Sequence, residues 1–273
     1  MSKWLGFLLQ DMIQRPIDAV GPAGIALLES DLAPVIGDGA ARAFRSQATS
    51  VVGGGKGLFG RARTVADVLE AYLPRDPDER SAVLVAASGP ARLADGYGPM
   101  ANYRFLVLTR AAVARVDDNG PEIALDTLGE LTKRFTAEFD IRVVLDGHFR
   151  AVYDRLRLWL RHPNHHVRRL VSEGARPRLP WAAHLRRFRE DPSGLLPLLD
   201  TLKSDRSQYV RLSVANCAAD ILKDHPDIGF RMLEGWLRSP DDRVRWVVAH
   251  ATRYPASQGD ETALRLQAAA SGQ

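Results

Sequence analysis

Cysteine and long apolar runs are nearly absent from this sequence. The single cysteine, Cys217, excludes an internal disulfide framework. No stretch approaches the roughly 20 consecutive apolar residues that a membrane-spanning helix requires. The apolar opening at residues 4–9 is short and lacks a small-residue cleavage site, so we predict an amphipathic first helix and no signal peptide. These features predict a cytoplasmic protein with no membrane partner.

Acidic residues are scarce in one part of the chain, residues 142–189. This segment holds twelve arginines and five histidines, and its only acids are Asp146, Asp154 and Glu173. The whole chain, by contrast, carries a net charge of only +4. Because guanidinium groups bind phosphate oxygens in pairs, the segment favours a nucleic-acid partner. A solvated basic helix face is the alternative interpretation.

The C-terminal half contains three similar segments built on a Val-Arg dipeptide. They are residues 160–173 (LRHPNHHVRRLVSE), 202–216 (LKSDRSQYVRLSVAN) and 237–250 (LRSPDDRVRWVVAH). Each predicts a helix, a break rich in Pro, Asp or Ser, and a second helix, and the dipeptides recur after 43 and 34 residues. This spacing is close to the period of two-helix HEAT units. We therefore predict an all-α fold of HEAT-like helical repeats, forming a curved solenoid with a basic concave groove.

In such arrays the second helices line the concave surface, so residues at matching positions are expected to face one groove. These residues are Arg169, Glu173, Asn216, Asp220, His250 and Tyr254. The pair Tyr254-Pro255 predicts that the last of these helices breaks there.

The sequence offers no specific sign of a cofactor or metal. Residues 53–57 (GGGKG) resemble a phosphate loop, but Gly57 occupies the place where such a loop has Ser or Thr. His162, His165 and His166 lie close together, yet no second cluster of ligand residues accompanies them. We expect these histidines to cap a helix or to contact phosphate.

Several motifs occur in order between residues 125 and 250. Residues 128–145 (LGELTKRFTAEFDIRVVL) have a helical period and contain Glu138 between two phenylalanines, and residues 162–181 (HPNHHVRRLVSEGARPRLPW) end in Trp181. Residues 209–226 (YVRLSVANCAADILKDHP) follow. Together they resemble the AlkC branch of the bacterial HEAT-like-repeat alkylpurine DNA glycosylases.

The resemblance implies hydrolysis of the N-glycosidic bond of N3-methylated purines, chiefly 3-methyladenine, in duplex DNA during base excision repair. It implies a lesion-facing acid at Glu138, a second catalytic acid at Glu173, a third carboxylate at Asp220 and an aromatic pocket wall at Trp181. The arginines expected to bind DNA are Arg142, Arg168, Arg169, Arg176, Arg178, Arg211 and Arg245. No cofactor or metal is expected, and a monomer is sufficient for this activity.

These residue types suit that chemistry. N3-methylation gives adenine a positive charge, so the base leaves in neutral form and needs no general acid. Carboxylates would stabilise the oxocarbenium-like charge that develops on the sugar and would orient the attacking water. An indole face would hold the cationic base through a cation–π contact worth about 0.5–2 kcal/mol.

Structural roles are the alternative for each acid and for the tryptophan. Glu138 would then be a surface acid, and Glu173 would form helical ion pairs with Arg169 and Arg176. Asp220 would pair with Lys223 or Arg211, and Trp181 would pack in the core. At the level of function, the alternatives are a non-catalytic HEAT scaffold that binds nucleic acid or protein, and a groove for acidic peptides.

The resemblance also suggests a division of the chain into three parts. Residues 1–124 form a helical region that matches the family poorly, and residues 125–255 form the HEAT-like glycosylase core. Residues 256–273 form a tail or a last helix.

Overall fold

The fold of this chain is entirely helical wherever it is described. A computed structural model describes residues 9–272, which contain helices and no β-strand. The predicted all-α class is therefore confirmed, whereas residues 4–8 of the predicted first helix lie outside the described residues. No helix between residues 9 and 272 is both long and apolar enough to cross a membrane.

The chain forms two compact units, Met1–Val152 and Tyr153–Gln273. The boundary predicted from sequence, after residue 124, separates the part that resembles the family from the part that does not. This boundary stays a prediction.

The first unit is built from helices that begin at well-defined residues. Pro22, Pro77 and Pro121 open three of them, at a position where a helix needs no backbone N–H donor. The helices are α1 (Pro22–Ile36), α2 (Asp38–Val51), α3 (Gly57–Leu69), α4 (Pro77–Ala87), α5 (Leu106–Val113), α6 (Val116–Asn119), α7 (Pro121–Leu131) and α8 (Ile141–Gly147). Short 3-10 helices span Pro16–Val20, Val52–Gly54, Glu70–Tyr72 and Met100–Phe105.

The connection between α7 and α8 corrects one expectation. The helical period over residues 128–145 predicted continuous helix, but residues 132–140 form turns. Side chains there bind the backbone: Arg134 Nε donates to the Gly89 carbonyl at 2.7 Å, and the Thr136 hydroxyl accepts from the Glu138 amide at 3.3 Å. Such bonds compete with helix formation. They bury Glu138 beside Phe135 and Ala137.

The second unit contains the repeats. Its helices are α9 (Phe149–Trp159), which includes the boundary between the units, α10 (His165–Gly174), α11 (Arg186–Glu190), α12 (Leu196–Leu202), α13 (Gln208–Asp224), α14 (Pro226–Trp236), α15 (Asp242–Ser257) and α16 (Glu261–Ala270). A 3-10 helix spans Pro192–Gly194.

The predicted plan of helix, break and helix is confirmed. The Val-Arg dipeptides lie in the first turns of α10, α13 and α15, and Val167, Val210 and Val244 are all buried. Helix α10 packs on α13, and α13 packs on α15. Asn164 and Asp241 cap α10 and α15 by accepting hydrogen bonds from backbone amides. The concave basic groove stays a prediction.

The expected break at Pro255 is wrong. Helix α15 continues through Pro255 and ends at Ser257. A proline removes one helical hydrogen bond, but this one lies in the last turn, which is closed by bonds from the Gln258 amide to the carbonyls of Tyr254 and Pro255. The segment after residue 256 contains a last helix, α16, capped by Asp260.

Gly24 provides a test of packing in the first unit. A Cβ atom at this residue would lie 1.7 Å from the carbonyl oxygen of Ala19, which is fully buried. We expect Gly24→Ala to lower the free energy of unfolding by about 3 kcal/mol, because backbone must move. Gly39→Ala is the control, since nothing lies within 4 Å of a Cβ there. Urea denaturation measures both, and equal stability of the two variants would contradict the packing described.

Candidate active site

Two buried acids of the second unit share one arginine. Glu173 lies in the last turn of α10 and Asp220 lies in α13, and their exposed fractions are 5% and 3%. Arg176 Nη1 donates to Glu173 Oε1 at 2.9 Å. Its Nε and Nη2 donate to the two carboxylate oxygens of Asp220 at 2.9 and 3.2 Å. One guanidinium therefore holds both predicted acids in fixed positions.

Glu173 is an ionised carboxylate. Burial acts to raise its pKa, but the charges of Arg169 and Arg176 outweigh burial and lower it. Hydrogen bonds from Ser213 and Arg176 act in the same direction. The Arg169 guanidinium lies 3.7 Å from Glu173 Oε1, one turn earlier on α10. The ion pairs proposed as the structural alternative are therefore present, and they keep the acid in its charged form.

A third acid, Asp224, lies one turn beyond Asp220 on α13. Arg178 donates to it through Nε at 2.9 Å and also through Nη2, and Arg189 donates through Nε at 3.2 Å. The hydrogen bonds from Arg178 lower the pKa of Asp224 to about 2. The Arg178 amide also donates to Asp220 at 3.3 Å, so the loop after α10 is fastened to α13 at several points.

Trp181 lies on this loop and is 64% exposed. The core-packing alternative for this residue is therefore wrong. Its φ of +67° lies in the left-handed region, which costs a residue other than glycine roughly 1–2 kcal/mol. Buried Leu179 and Leu185 anchor the loop on either side, and the Ala182 amide donates to the Leu179 carbonyl at 3.3 Å. The loop after α10 therefore presents an exposed indole on a strained backbone.

Glu138 lies in the first unit and is 2% exposed, so it is not the surface acid of the structural alternative. The Tyr97 hydroxyl donates to its Oε1 at 2.9 Å, and the Thr136 hydroxyl donates to its Oε2 at 2.7 Å. The rings of Tyr97, Tyr103 and Phe135 pack against one another. Burial and the negative charge of Glu138 raise the pKa of Tyr103.

The arginines expected to bind DNA have different surroundings. Arg168 is buried, pairs with Asp205 at 2.6 and 2.9 Å, and donates to the carbonyls of His162 and Pro163. Arg142 is also buried. The Arg168 guanidinium is thus engaged by groups of the protein, whereas the Arg245 side chain is 38% exposed.

Two further arginines lie over aromatic rings of the next helix that opens with a Val-Arg repeat. The Arg169 guanidinium lies 4.6 Å from the ring centroid of Tyr209, and that of Arg211 lies 5.7 Å from the ring of Trp246. Arg211 also donates to the carbonyl of Asp205 at 2.6 Å. Arg176 binds the two acids. The assignment of all these arginines to DNA stays a prediction.

The three histidines near α10 do not form the cap that was one of their expected roles. Asn164 caps the helix through its side chain, and its amide donates to His162 Nδ1 at 3.0 Å. The rings of His165 and His166 lie 4.1 Å apart and contact Tyr209 edge-on. No cluster of three metal-ligand residues occurs in the part of the chain that the structure describes.

In each of the two units, polar residues that accompany the predicted acids were not singled out from the sequence. Tyr97 comes from the glycine-rich loop at residues 88–100, and Ser213 comes from α13, where its hydroxyl lies 2.7 Å from that of Ser172. Asp140 is buried between Thr109 and Arg110, and burial raises its pKa. No local motif marks these residues, because each meets its partner only through tertiary packing.

Comparisons with known proteins identify a sequence relative and a structural neighbour of this chain. The chain is 39% identical over 145 residues to the uncharacterized protein YhaZ of Bacillus subtilis (strain 168), covering 53% of this chain and 40% of YhaZ. Its fold matches Pseudomonas fluorescens alkylpurine DNA glycosylase AlkC bound to DNA containing an abasic site analog, with a TM-score of 0.80 and 31% identity. That match covers 92% of this chain and 67% of the other. No protein-family model matches.

The Asp224 network predicts a specific dependence of stability on pH. Because its pKa falls from 3.8 to about 2 on folding, Asp224 contributes stability that is complete above about pH 5 and is lost as the pH falls toward 2. Asp224→Asn should cost about 2 kcal/mol at pH 6 and less than about 0.5 kcal/mol near pH 2. Urea denaturation across this range measures the difference, with Asp227→Asn, which removes an exposed acid of α14, as the charge control. A constant difference would exclude the linkage.

Proposed function

The chain belongs to the AlkC family of alkylpurine DNA glycosylases, and on this premise we propose that it excises cationic alkylated purines, 3-methyladenine above all, from duplex DNA. The reaction is hydrolysis of the N-glycosidic bond, the first step of base excision repair. The observation that carries the proposal is the match of the fold to an alkylpurine DNA glycosylase bound to DNA. The buried acids Glu173 and Asp220, close together on one guanidinium, supply carboxylates for the reaction.

The ionisation of Glu173 decides which reaction it can assist. With its pKa lowered by two arginines, Glu173 is charged at neutral pH and has no proton to donate. A neutral base would need a proton to leave, whereas an N3-alkylated purine already carries the positive charge. The site therefore suits cationic leaving groups and spares unmodified adenine.

The proposed hydrolysis of the N-glycosidic bond needs water and no other reagent. The bond between C1′ and the purine nitrogen breaks, and its electron pair leaves with the base, which becomes neutral. Glu173 and Asp220 of the second unit stabilise the positive charge on the sugar through preorganised electrostatics, and the role proposed for Glu138 of the first unit is that of a lesion-facing acid. Water adds its oxygen to C1′ and loses a proton to a carboxylate, which passes it to solvent. Neither a metal nor a cofactor takes part in this sequence.

Binding of the lesion is assigned to Trp181 and the more exposed arginines. The indole is exposed and would stack on a positively charged base. The side chains of Arg245 and Arg178 are 38% and 28% exposed, and we assign them to contacts with phosphates. Duplex DNA is thus the partner, and the protein acts on it as a monomer in the cytoplasm.

A non-catalytic scaffold is the second candidate. It is favoured by one observation, that Glu173 and Asp220 are both already paired with Arg176, as they would be in a purely structural network. Such a scaffold would bind duplex DNA with a strong dependence on salt but would release no base.

The deciding experiment incubates the protein with methylated duplex DNA and measures free bases by chromatography. We expect release of 3-methyladenine, lowered at least a hundredfold in Glu173→Gln and in Glu138→Gln, with duplex affinity changed by less than about threefold. Glu190→Gln is the matched control, because Glu190 is an exposed acid paired with Arg186. Absence of release by the wild type, with salt-sensitive binding retained, would establish the scaffold. Parallel loss of binding and release in the variants would assign the acids to folding.

Two substitutions of Trp181 separate the effect of losing the indole ring from the effect of relieving the backbone strain at its positive φ. Both Trp181→Ala and Trp181→Gly should reduce the preference for a duplex carrying a cationic base over the unmodified duplex, by about 2- to 30-fold. Trp181→Gly should also be more stable than Trp181→Ala by about 1 kcal/mol, because glycine adopts a positive φ without strain. Fluorescence anisotropy and thermal denaturation give the two quantities. An unchanged preference would rule out the cation–π contact.

A further inference from the structure

The loop at residues 88–100 is tied to the turn segment that carries Glu138. Arg134 Nε donates to the Gly89 carbonyl at 2.7 Å, and the Arg92 amide donates to the Lys133 carbonyl at 2.8 Å. The third tie is the hydrogen bond from the Tyr97 hydroxyl to Glu138. The two segments are distant in sequence, so these bonds define where the end of the loop lies relative to the acid.

Tyr97 is held firmly at this position. It lies between Gly96 and Gly98, whose φ values of +80° and +75° are in the region that favours glycine. Its carbonyl accepts from Asn102 Nδ2 at 3.1 Å. Its ring centroid lies 6.0 Å from that of Tyr103 and 5.7 Å from that of Phe135. Backbone and ring together aim the hydroxyl at Glu138.

A hydroxyl donor acts on a carboxylate differently from a guanidinium. Arg176 adds a positive charge beside Glu173, whereas the hydroxyl of Tyr97 is neutral and orients Glu138 without adding charge. With Thr136 bound to the other oxygen, the plane of the Glu138 carboxylate is specified from both sides. Catalytic groups lose activity steeply when they are misplaced by about 1 Å.

We propose that Tyr97 is a positioning residue of the glycosylase reaction, whose hydroxyl fixes the orientation in which the Glu138 carboxylate meets the lesion. The inference rests on the proposed function, because Glu138 needs an orientation only where it acts on a substrate. It adds to the site a residue from a part of the chain where the sequence shows no clear resemblance to the family.

Tyr97→Phe is the sharpest test, because it removes the hydroxyl and keeps the ring. We expect the single-turnover rate of 3-methyladenine release to fall about 10- to 100-fold. Affinity for a duplex with an abasic-site analogue should stay within about twofold, since the acid is misoriented and the DNA contacts are retained. Tyr72→Phe is the control: Tyr72 packs edge-on against Phe44 in the same unit and has no contact with Glu138 in the described structure.

A double-mutant cycle separates positioning from a merely structural role. If Tyr97 acts through Glu138, adding Tyr97→Phe to Glu138→Gln should not slow release further, whereas independent effects would multiply. Thermal denaturation of each variant sets an assay temperature well below every midpoint, so a loss of stability does not enter the rates. Thr136→Val, which removes the other hydroxyl donor, should lower the rate in the same way.

The outcomes distinguish the two proposals. Absence of base release by the wild type would overturn the proposed function. An active wild type with an impaired Glu138→Gln and a Tyr97→Phe of full activity would overturn the positioning role alone. Multiplicative losses in the double variant would do the same, because they would place the effect of Tyr97 outside Glu138.

Discussion

The second unit depends on the contact between Arg176 and its two carboxylates. Burying Glu173 and Asp220 would cost several kcal/mol for each unpaired charge, and three hydrogen bonds from one guanidinium offset that cost. The same contact joins the end of α10 to α13 and fastens the loop that presents Trp181. Stability and the arrangement of the proposed site therefore rely on one group, so loss of Arg176 would disturb both together.

This constraint also defines the chemistry that the acids can perform. An acid held beside two arginines stays ionised, which suits stabilisation of a cation and excludes proton donation at neutral pH. Glu138 is held in another way, by hydroxyl donors within a group of aromatic rings. In the second unit, cations secure the charge of Glu173, and in the first unit, the hydroxyls of Tyr97 and Thr136 orient Glu138.

The sequence predicted the parts of the molecule that follow from periodicity and from motif order. The Val-Arg dipeptides marked the first turns of α10, α13 and α15, because buried positions recur at each repeat of a stacked array. Two expectations were wrong: the helical period predicted continuous helix through residues 132–140, and the Tyr254-Pro255 pair predicted a break in α15. In the first case, side chains bind the backbone and replace helical bonds. In the second, the proline lies so near the helix end that only one bond is lost.

The sequence alone thus determined the all-α class, the helical repeats and the family, since local pattern and motif order carry this information. The spacing of Arg169 and Arg176 indicated the ion pairs of Glu173, but only the tertiary structure decided the partners of Asp220 and Glu138. Arg176, predicted to bind DNA, proved to bridge Glu173 and Asp220, and Tyr97 proved to reach Glu138 across 41 residues of chain. Exposure of Trp181 and burial of Arg168 were decided there too. Such pairings depend on how distant segments pack, and no spacing in the sequence encodes that directly.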